Sequence, residues 1–208
     1  MGLQNNERGN FISIFNGKIT QRVPEGTAGS VTRTNKIGKI VTERYFDSFT
    51  GKLIGINPMD GTYGKQWYFS FKDKGEVYIL TMGYDSSIAL AFLAMLPNVD
   101  LSKEIKVSAS VTQNNKGGEN TSIFINQDGK AIKHAYTKEN PNGLPPWKAV
   151  TINGNTLWDK SEPLAFLENM VNTIIIPKLP KEEAQEVASG QSLDEVFGDE
   201  PNPEDQPF

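Results

Sequence analysis

The sequence has no cysteine and a single histidine, His134, among its 208 residues. The first absence removes disulfides, thiolate zinc sites, iron–sulfur clusters and cysteine nucleophiles together, and suits a reducing compartment. The second removes every mechanism that needs a histidine pair, and leaves His134 with no Cys or second His to share a metal; a hydrogen-bonded structural role is expected of it. Long apolar runs are missing as well. The longest, Ile88 to Leu96, is about half of what a bilayer crossing needs, and Met1-Gly2-Leu3-Gln4-Asn5-Asn6 lacks the basic-then-apolar pattern of a secretory signal. The expectation is a protein with no membrane partner that stays in the cytoplasm where it is made. Asp60-Gly61-Thr62 and Asp128-Gly129-Lys130 lack the ligand spacing of calcium or phosphate loops, and Asn114 to Gly118 lacks the Lys-Ser or Lys-Thr end of a nucleotide loop. No metal, no cofactor and no catalytic residue is therefore expected. Nothing selects a carboxylate pair, and the chain reads as non-enzymatic.

What is present is a polar, turn-rich chain with 37% hydrophobic and 22% charged residues, 19 Gly and 12 Pro. Its net charge of −4 hides a division. Residues 181–208 carry nine acidic residues against Lys181 alone, hence −8, while residues 1–180 carry twenty basic and sixteen acidic residues, hence +4. A mildly basic body with an acidic arm points toward nucleic acid, the bland alternative being a solubilising tail. After Pro177 and Pro180 large apolar residues become scarce, so the expected division is a domain over residues 1–180 and a disordered acidic tail over 181–208.

The body reads as strands. Phe11 to Phe15 and Lys18 to Val23 flank Asn16-Gly17, and Thr121 to Gln127 and Lys130 to Thr137 flank Asp128-Gly129, both two-residue hairpin turns. Pro24 to Ser30 reads as a loop. Further strands are expected at Lys36 to Phe46, Lys52 to Ile56, Gln66 to Phe71, Glu76 to Met82, Glu104 to Gln113 and Lys148 to Ile152. Ser86 to Leu96 predicts a buried helix with Asp85 as N-cap and Pro97 as stop, and Ser161 to Ile176 a closing helix with Leu164, Leu167, Val171 and Ile174 at helical spacing. The expected class is mainly β, an OB-fold-like antiparallel β-barrel with an internal and a C-terminal helix.

Residues opposite one another in a hairpin share a face. Ile14 opposes Ile19, Phe15 opposes Lys18 and Phe11 opposes Arg22, so one side is aliphatic and the other pairs rings with cations; Ile125 with Ile132 and Phe124 with Lys133 repeat the arrangement. In Gln66 to Lys72, Trp67, Phe69 and Phe71 share one side, and Tyr68, Ser70 and Lys72 the other. Flat rings stack on unpaired bases while Lys and Arg neutralise phosphates. The candidate single-stranded DNA-binding residues are thus Phe11, Phe15, Lys18, Arg22, Tyr68, Lys72, Phe124 and Lys133, with Arg33, Lys36, Lys39 and Arg44 as a basic run along one extended segment. The competing reading makes the rings ordinary core with the cations reaching outward.

The last ten residues are acidic, proline-punctuated and end on Asp205-Gln206-Pro207-Phe208. A terminal ring with a free carboxylate suits docking into an apolar pocket edged by Lys or Arg, with Glu204, Asp205, Pro207 and Phe208 as the docking residues. This tail resembles the C-terminal tip of bacterial and bacteriophage single-stranded DNA-binding proteins, with Gln206 where the bacterial tip carries an aliphatic residue; the body is more like the divergent phage versions. The resemblance implies an OB-fold, sequence-tolerant binding and protection of single-stranded DNA, and recruitment of replication, recombination or repair proteins through the tail, in the cytoplasm of a bacterial or phage-infected cell. Two other readings compete: a structural or adaptor protein whose β-domain binds another protein, and a carboxylate-dependent nuclease. Homo-oligomerisation stays open.

Overall fold

In the computed structural model the described residues are 10–35, 38–61, 64–113, 118–152 and 155–180. Local turn chemistry sets the first hairpin. Asn16 and Gly17 take φ of +48° and +69°, the paired positive angles of a type I′ turn, so β1 (Asn10–Phe15) folds back on β2 (Lys18–Arg22) with Ile14 opposite Ile19 and Phe15 opposite Lys18. The expected single strand over Lys36 to Phe46 is instead part of a second hairpin, β3 (Val31–Thr34) against β4 (Ile40–Phe46). Lys36 lies outside the described residues. β5 (Ser48–Gly61) is far longer than the expected Lys52 to Ile56, because its first part pairs with β8 (Glu104–Gln113) and its second with β6 (Gly64–Asp73). Lys74 and Gly75 then turn the chain into β7 (Glu76–Gly83), both at positive φ.

Asp128 and Gly129 repeat the type I′ geometry at φ +51° and +75° between β9 (Glu119–Gln127) and β10, but β10 covers only Lys130–Ala131. The rest of the predicted strand is diverted to the internal helix. Ala135 N–H donates to Ala94 O at 2.7 Å and the Asn98 amide donates to Lys133 O at 2.9 Å, so these backbone groups are committed outside the ladder.

The strands form one mixed sheet in the order β10-β9-β8-β5-β6-β7-β1-β2-β4-β3, antiparallel except where β1 runs parallel to β7. The class is mainly β with two helices, as expected. Among the described residues hydrogen bonding leaves the sheet open, with β10 and β3 at its ends, so no closed barrel is formed by pairing. It curls nonetheless. The Gly17 turn abuts β8 so closely that a Cβ there would lie 2.5 Å from Val111 N.

Helix α1 (Ser87–Met95) packs on the concave side, with Phe92 edge-on to Phe69 at 4.8 Å between ring centres. Its N-cap is Ser86, whose hydroxyl accepts from Ala89 N–H, rather than the expected Asp85. The C-terminal helix begins at Ser161 as predicted and is α-helical over α2 (Ser161–Met170). Beyond it the chain widens into a π-turn over Val171–Ile175, with Thr173 Oγ1 donating to Asn169 O, and tightens into a 3-10 turn at Ile176–Lys178 around Pro177. A separate two-stranded sheet, β11 (Lys148–Ile152) and β12 (Asn155–Asp159), leads into α2. No helix among the described residues is long and apolar enough to cross a membrane.

Candidate nucleic-acid interface

Strand alternation and register together define the face of the sheet turned away from α1. On the first hairpin it carries Phe11, Ser13 and Phe15 from β1 and Lys18, Thr20 and Arg22 from β2. Register extends it to Glu43 and Tyr45 on β4, to Arg33 on β3, and across the parallel pair from Phe11 to Ile79. Tyr68, Ser70 and Lys72 of β6 and Phe124 of β9 belong to the same side. The opposite side carries Ile12, Ile14, Ile19, Trp67, Phe69, Phe71 and Ile125, all buried. On the first hairpin the predicted separation into an aliphatic side and a ring-and-cation side is present; on the second, β10 ends at Ala131, so the expected pairing of Phe124 with Lys133 does not form.

The rings differ in access. Phe124 is 45% exposed and Phe11 and Phe15 are half-buried. Tyr68, expected as a stacking ring, is only 6% exposed. β6 is a central strand between β5 and β7, and Gln66 to Phe71 are buried on both of its faces, so its alternation of large apolar with polar residues does not mark a wet side. The absence of charge between Gln66 and Ser70 was the available signal.

The cations of the basic run do not share one side of the sheet. Arg33 is held by a fork on Glu43, Nε to Oε2 at 2.8 Å and Nη2 to Oε1 at 3.1 Å, and its Cζ lies 4.0 Å from the centre of the Phe15 ring. Glu43, 3% exposed, also faces Arg22 Nε at 4.0 Å and accepts from the Tyr45 hydroxyl at 3.2 Å. Burial and the neighbouring Glu43 carboxylate push the Tyr45 phenol up. Arg44 points to the other side of β4, where Nε and Nη2 both donate to Ala28 O, and Lys39 sits in the β3–β4 turn, its N–H bonded to Asn35 Oδ1. Lys18 pairs with Asp47, whose carboxyl it holds below the usual range. Lys72 is half-buried on the same side of β6 as Tyr68, with Ser70 between them, and Lys133 is exposed just past β10. The structure thus brings Phe11, Phe15, Lys18, Arg22 and Arg33 together on one end of the sheet. Along the ladder Phe124, on β9, is separated from β1 by β8, β5, β6 and β7, but the curl that sets the Gly17 turn against Ser110 and Val111 brings the first hairpin round to β8, the strand beside β9. Glu204, Asp205, Pro207 and Phe208 lie outside the described residues.

Two rings escaped the sequence reading as surface groups. Trp147 and Trp158 are exposed, Trp158 to 59%, with Lys160 Nζ 5.3 Å from the Trp147 ring centre. Trp158 opposes Ala149, so Trp147, two residues earlier, falls on the same side of the small hairpin, and Val150 and Leu157 expose the other. The pair Asn153-Gly154 after the recognised strand was a hairpin signal that would have found β12. No three His, Asp or Glu side chains among the described residues gather to hold a metal ion. Compared with known proteins, the chain matches no family model, no curated protein and no solved structure.

Proposed function

We propose that the protein binds single-stranded DNA with little sequence preference through the ring-and-cation face, and that its acidic tail recruits replication or recombination proteins in the cytoplasm of a bacterial or phage-infected cell. The observation that carries this reading is the first-hairpin end of that face, where Phe11 and Phe15 stand with Lys18, Arg22 and Arg33 on the side opposite the buried Ile12, Ile14 and Ile19. Exposed Phe124 adds a second stacking position, and Trp147 beside Lys160 a third.

The test is a tryptophan-fluorescence titration with oligo-dT at several salt concentrations. Trp67 is buried, donates to Tyr84 O at 3.1 Å and stacks on the Tyr84 ring, so it stays silent and quenching comes from Trp147 and Trp158. Affinity should fall with salt with a logarithmic slope of about −0.7 per phosphate neutralised. Undetectable binding at low salt ends the reading. A second reading, a β-domain that docks another protein, is favoured by Val150, Leu157 and Trp158, which leave the β11–β12 hairpin apolar and exposed. The same titration separates the two.

A further inference from the structure

Where the β1–β2 hairpin approaches the corner between β4 and β5, the fold leaves a cavity of about 200 Å³. Its floor is aliphatic, made of the buried Ile12 and Ile19. Its sides carry the rings of Phe46, Phe49 and Tyr78. Two of these rings are pinned: Phe49 meets Phe71 edge-on at 4.8 Å, and the Tyr78 hydroxyl donates to Glu76 Oε2 at 2.5 Å. Phe46, 38% exposed, offers a free aromatic surface to an entering ring.

Polar groups from three strands complete the lining: Gln21 from β2, Ser48 and Thr50 from β5 and Asp73 from β6. The Gln21 amide donates a long hydrogen bond, 3.4 Å, to Asn10 Oδ1. Sites for drug-sized ligands begin near 300 Å³, so this volume suits one ring system and little more. Aromatic sides over an aliphatic floor favour a flat ring. The Asp73 carboxylate, with Glu76 close by on Tyr78, favours an edge that donates hydrogen bonds and disfavours an attached phosphate.

We propose that this cavity binds a single nucleobase bearing an exocyclic amino group, with Phe46 and Tyr78 against the ring and Asp73 accepting from the amino group. Cytosine fits this description, since a carboxylate accepts from its N4. Uracil, of the same size, places a carbonyl oxygen there and meets the carboxylate acceptor to acceptor. The site is independent of the DNA-binding face: its ligand needs no phosphate, and its lining residues lie outside the ring-and-cation set.

Titration of the full chain with free deoxycytidine, deoxyuridine and dCMP, followed by heteronuclear NMR, tests it. Deoxycytidine should shift the resonances around Phe46 and Tyr78 with an affinity indifferent to salt; deoxyuridine should bind at least about fivefold more weakly, the lower end of one base-edge contact. dCMP should bind no tighter than deoxycytidine. Asp73→Asn should abolish the preference for deoxycytidine, and Phe46→Ala should weaken both nucleosides, each in a protein whose spectrum remains that of the folded chain. No shift with millimolar deoxycytidine, equal binding of the two nucleosides, or an undiminished preference in Asp73→Asn would each overturn the proposal. Oligo-dT binding measured in parallel keeps the outcomes separate, because loss of nucleoside binding with retained oligo-dT binding sinks the cavity alone.

Discussion

Ile125 and Phe124 are neighbours on β9 and face opposite ways, Ile125 fully buried opposite Val107 and Phe124 45% exposed opposite Ser108. Ile125→Ala removes core methylenes and leaves a cavity, at a cost of about 2–5 kcal/mol. For a domain of this size each kcal/mol moves Tm by about 2–4 °C, so the melting temperature should fall by roughly 4–20 °C. Phe124→Ala removes a ring already half in water whose cross-strand neighbour is a serine, a loss of about 0.2–1 kcal/mol and at most roughly 4 °C. Oligonucleotide affinity should respond in the reverse order. Removing one stacking ring weakens binding by about 1–3 kcal/mol, or roughly 5- to 150-fold, whereas Ile125→Ala measured well below its own Tm should bind almost as the parent does. Calorimetric melts paired with anisotropy titrations of labelled oligo-dT at one fixed salt concentration decide the matter. Equal losses of Tm in the two variants would make Phe124 a core residue and invert the face assignment. A Phe124→Ala protein that both melts and binds like the parent would remove this ring from the interface.

Tyr68→Ala should now behave as a core variant, lowering stability by about 3–5 kcal/mol in denaturant unfolding, because the ring is buried on a central strand; a loss of DNA affinity with unchanged stability would contradict this. Gly17→Ala should destabilise by more than about 1 kcal/mol, since the new Cβ would sit 2.5 Å from Val111 N at a φ of +69°, and an unchanged denaturation midpoint would show that the turn does not touch β8 as described. The Tyr78 phenol, which donates to Glu76, is pushed up to about 12 from the ordinary 10.0. Its folded value lies above its unfolded one, so the hydrogen bond stabilises fully below pH 10 and is lost as pH rises toward 12. Ultraviolet titration should therefore show Tyr78 among the late-ionising tyrosines, with Glu76→Gln returning that one group toward 10.0, and no difference between the two titrations would refute the assignment.

Much of the fold was legible because local rules govern it. Asn16-Gly17 and Asp128-Gly129 announced their turns, and β8 (Glu104–Gln113) showed a period of two whose apolar side is buried at Ile105 and Val107 and opens to solvent by Val111. The misreadings arise where the outcome depends on what lies beside a strand. Tyr68 is buried by the sheet's central placement of β6, which its own neighbours in sequence do not report. Arg44 and Arg33 look alike along the chain, yet the second hairpin puts them on opposite sides. Past Ile132, whose N–H still donates to Ile125 O, the chain leaves β9: Lys133 O accepts from Asn98 and Ala135 N–H donates to Ala94 O of α1, a competition between segments far apart in sequence.

The parallel pairing of β1 with β7 has a consequence for how the chain reaches its native state. The first hairpin contains its own turn and can close within microseconds of being made. Its aliphatic side, Ile12, Ile14 and Ile19, belongs to a core whose other members sit on β6, β7 and α1. During synthesis at about 5–20 residues per second, the interval between completing Arg22 and completing Gly83 is roughly 3–12 s. For that time the hairpin carries an unburied isoleucine stripe on the nascent chain, so the N-terminal strands form early and dock late. Substitutions at the β1–β7 seam should therefore change the yield of folded protein from synthesis more than they change the rate at which a finished domain comes apart.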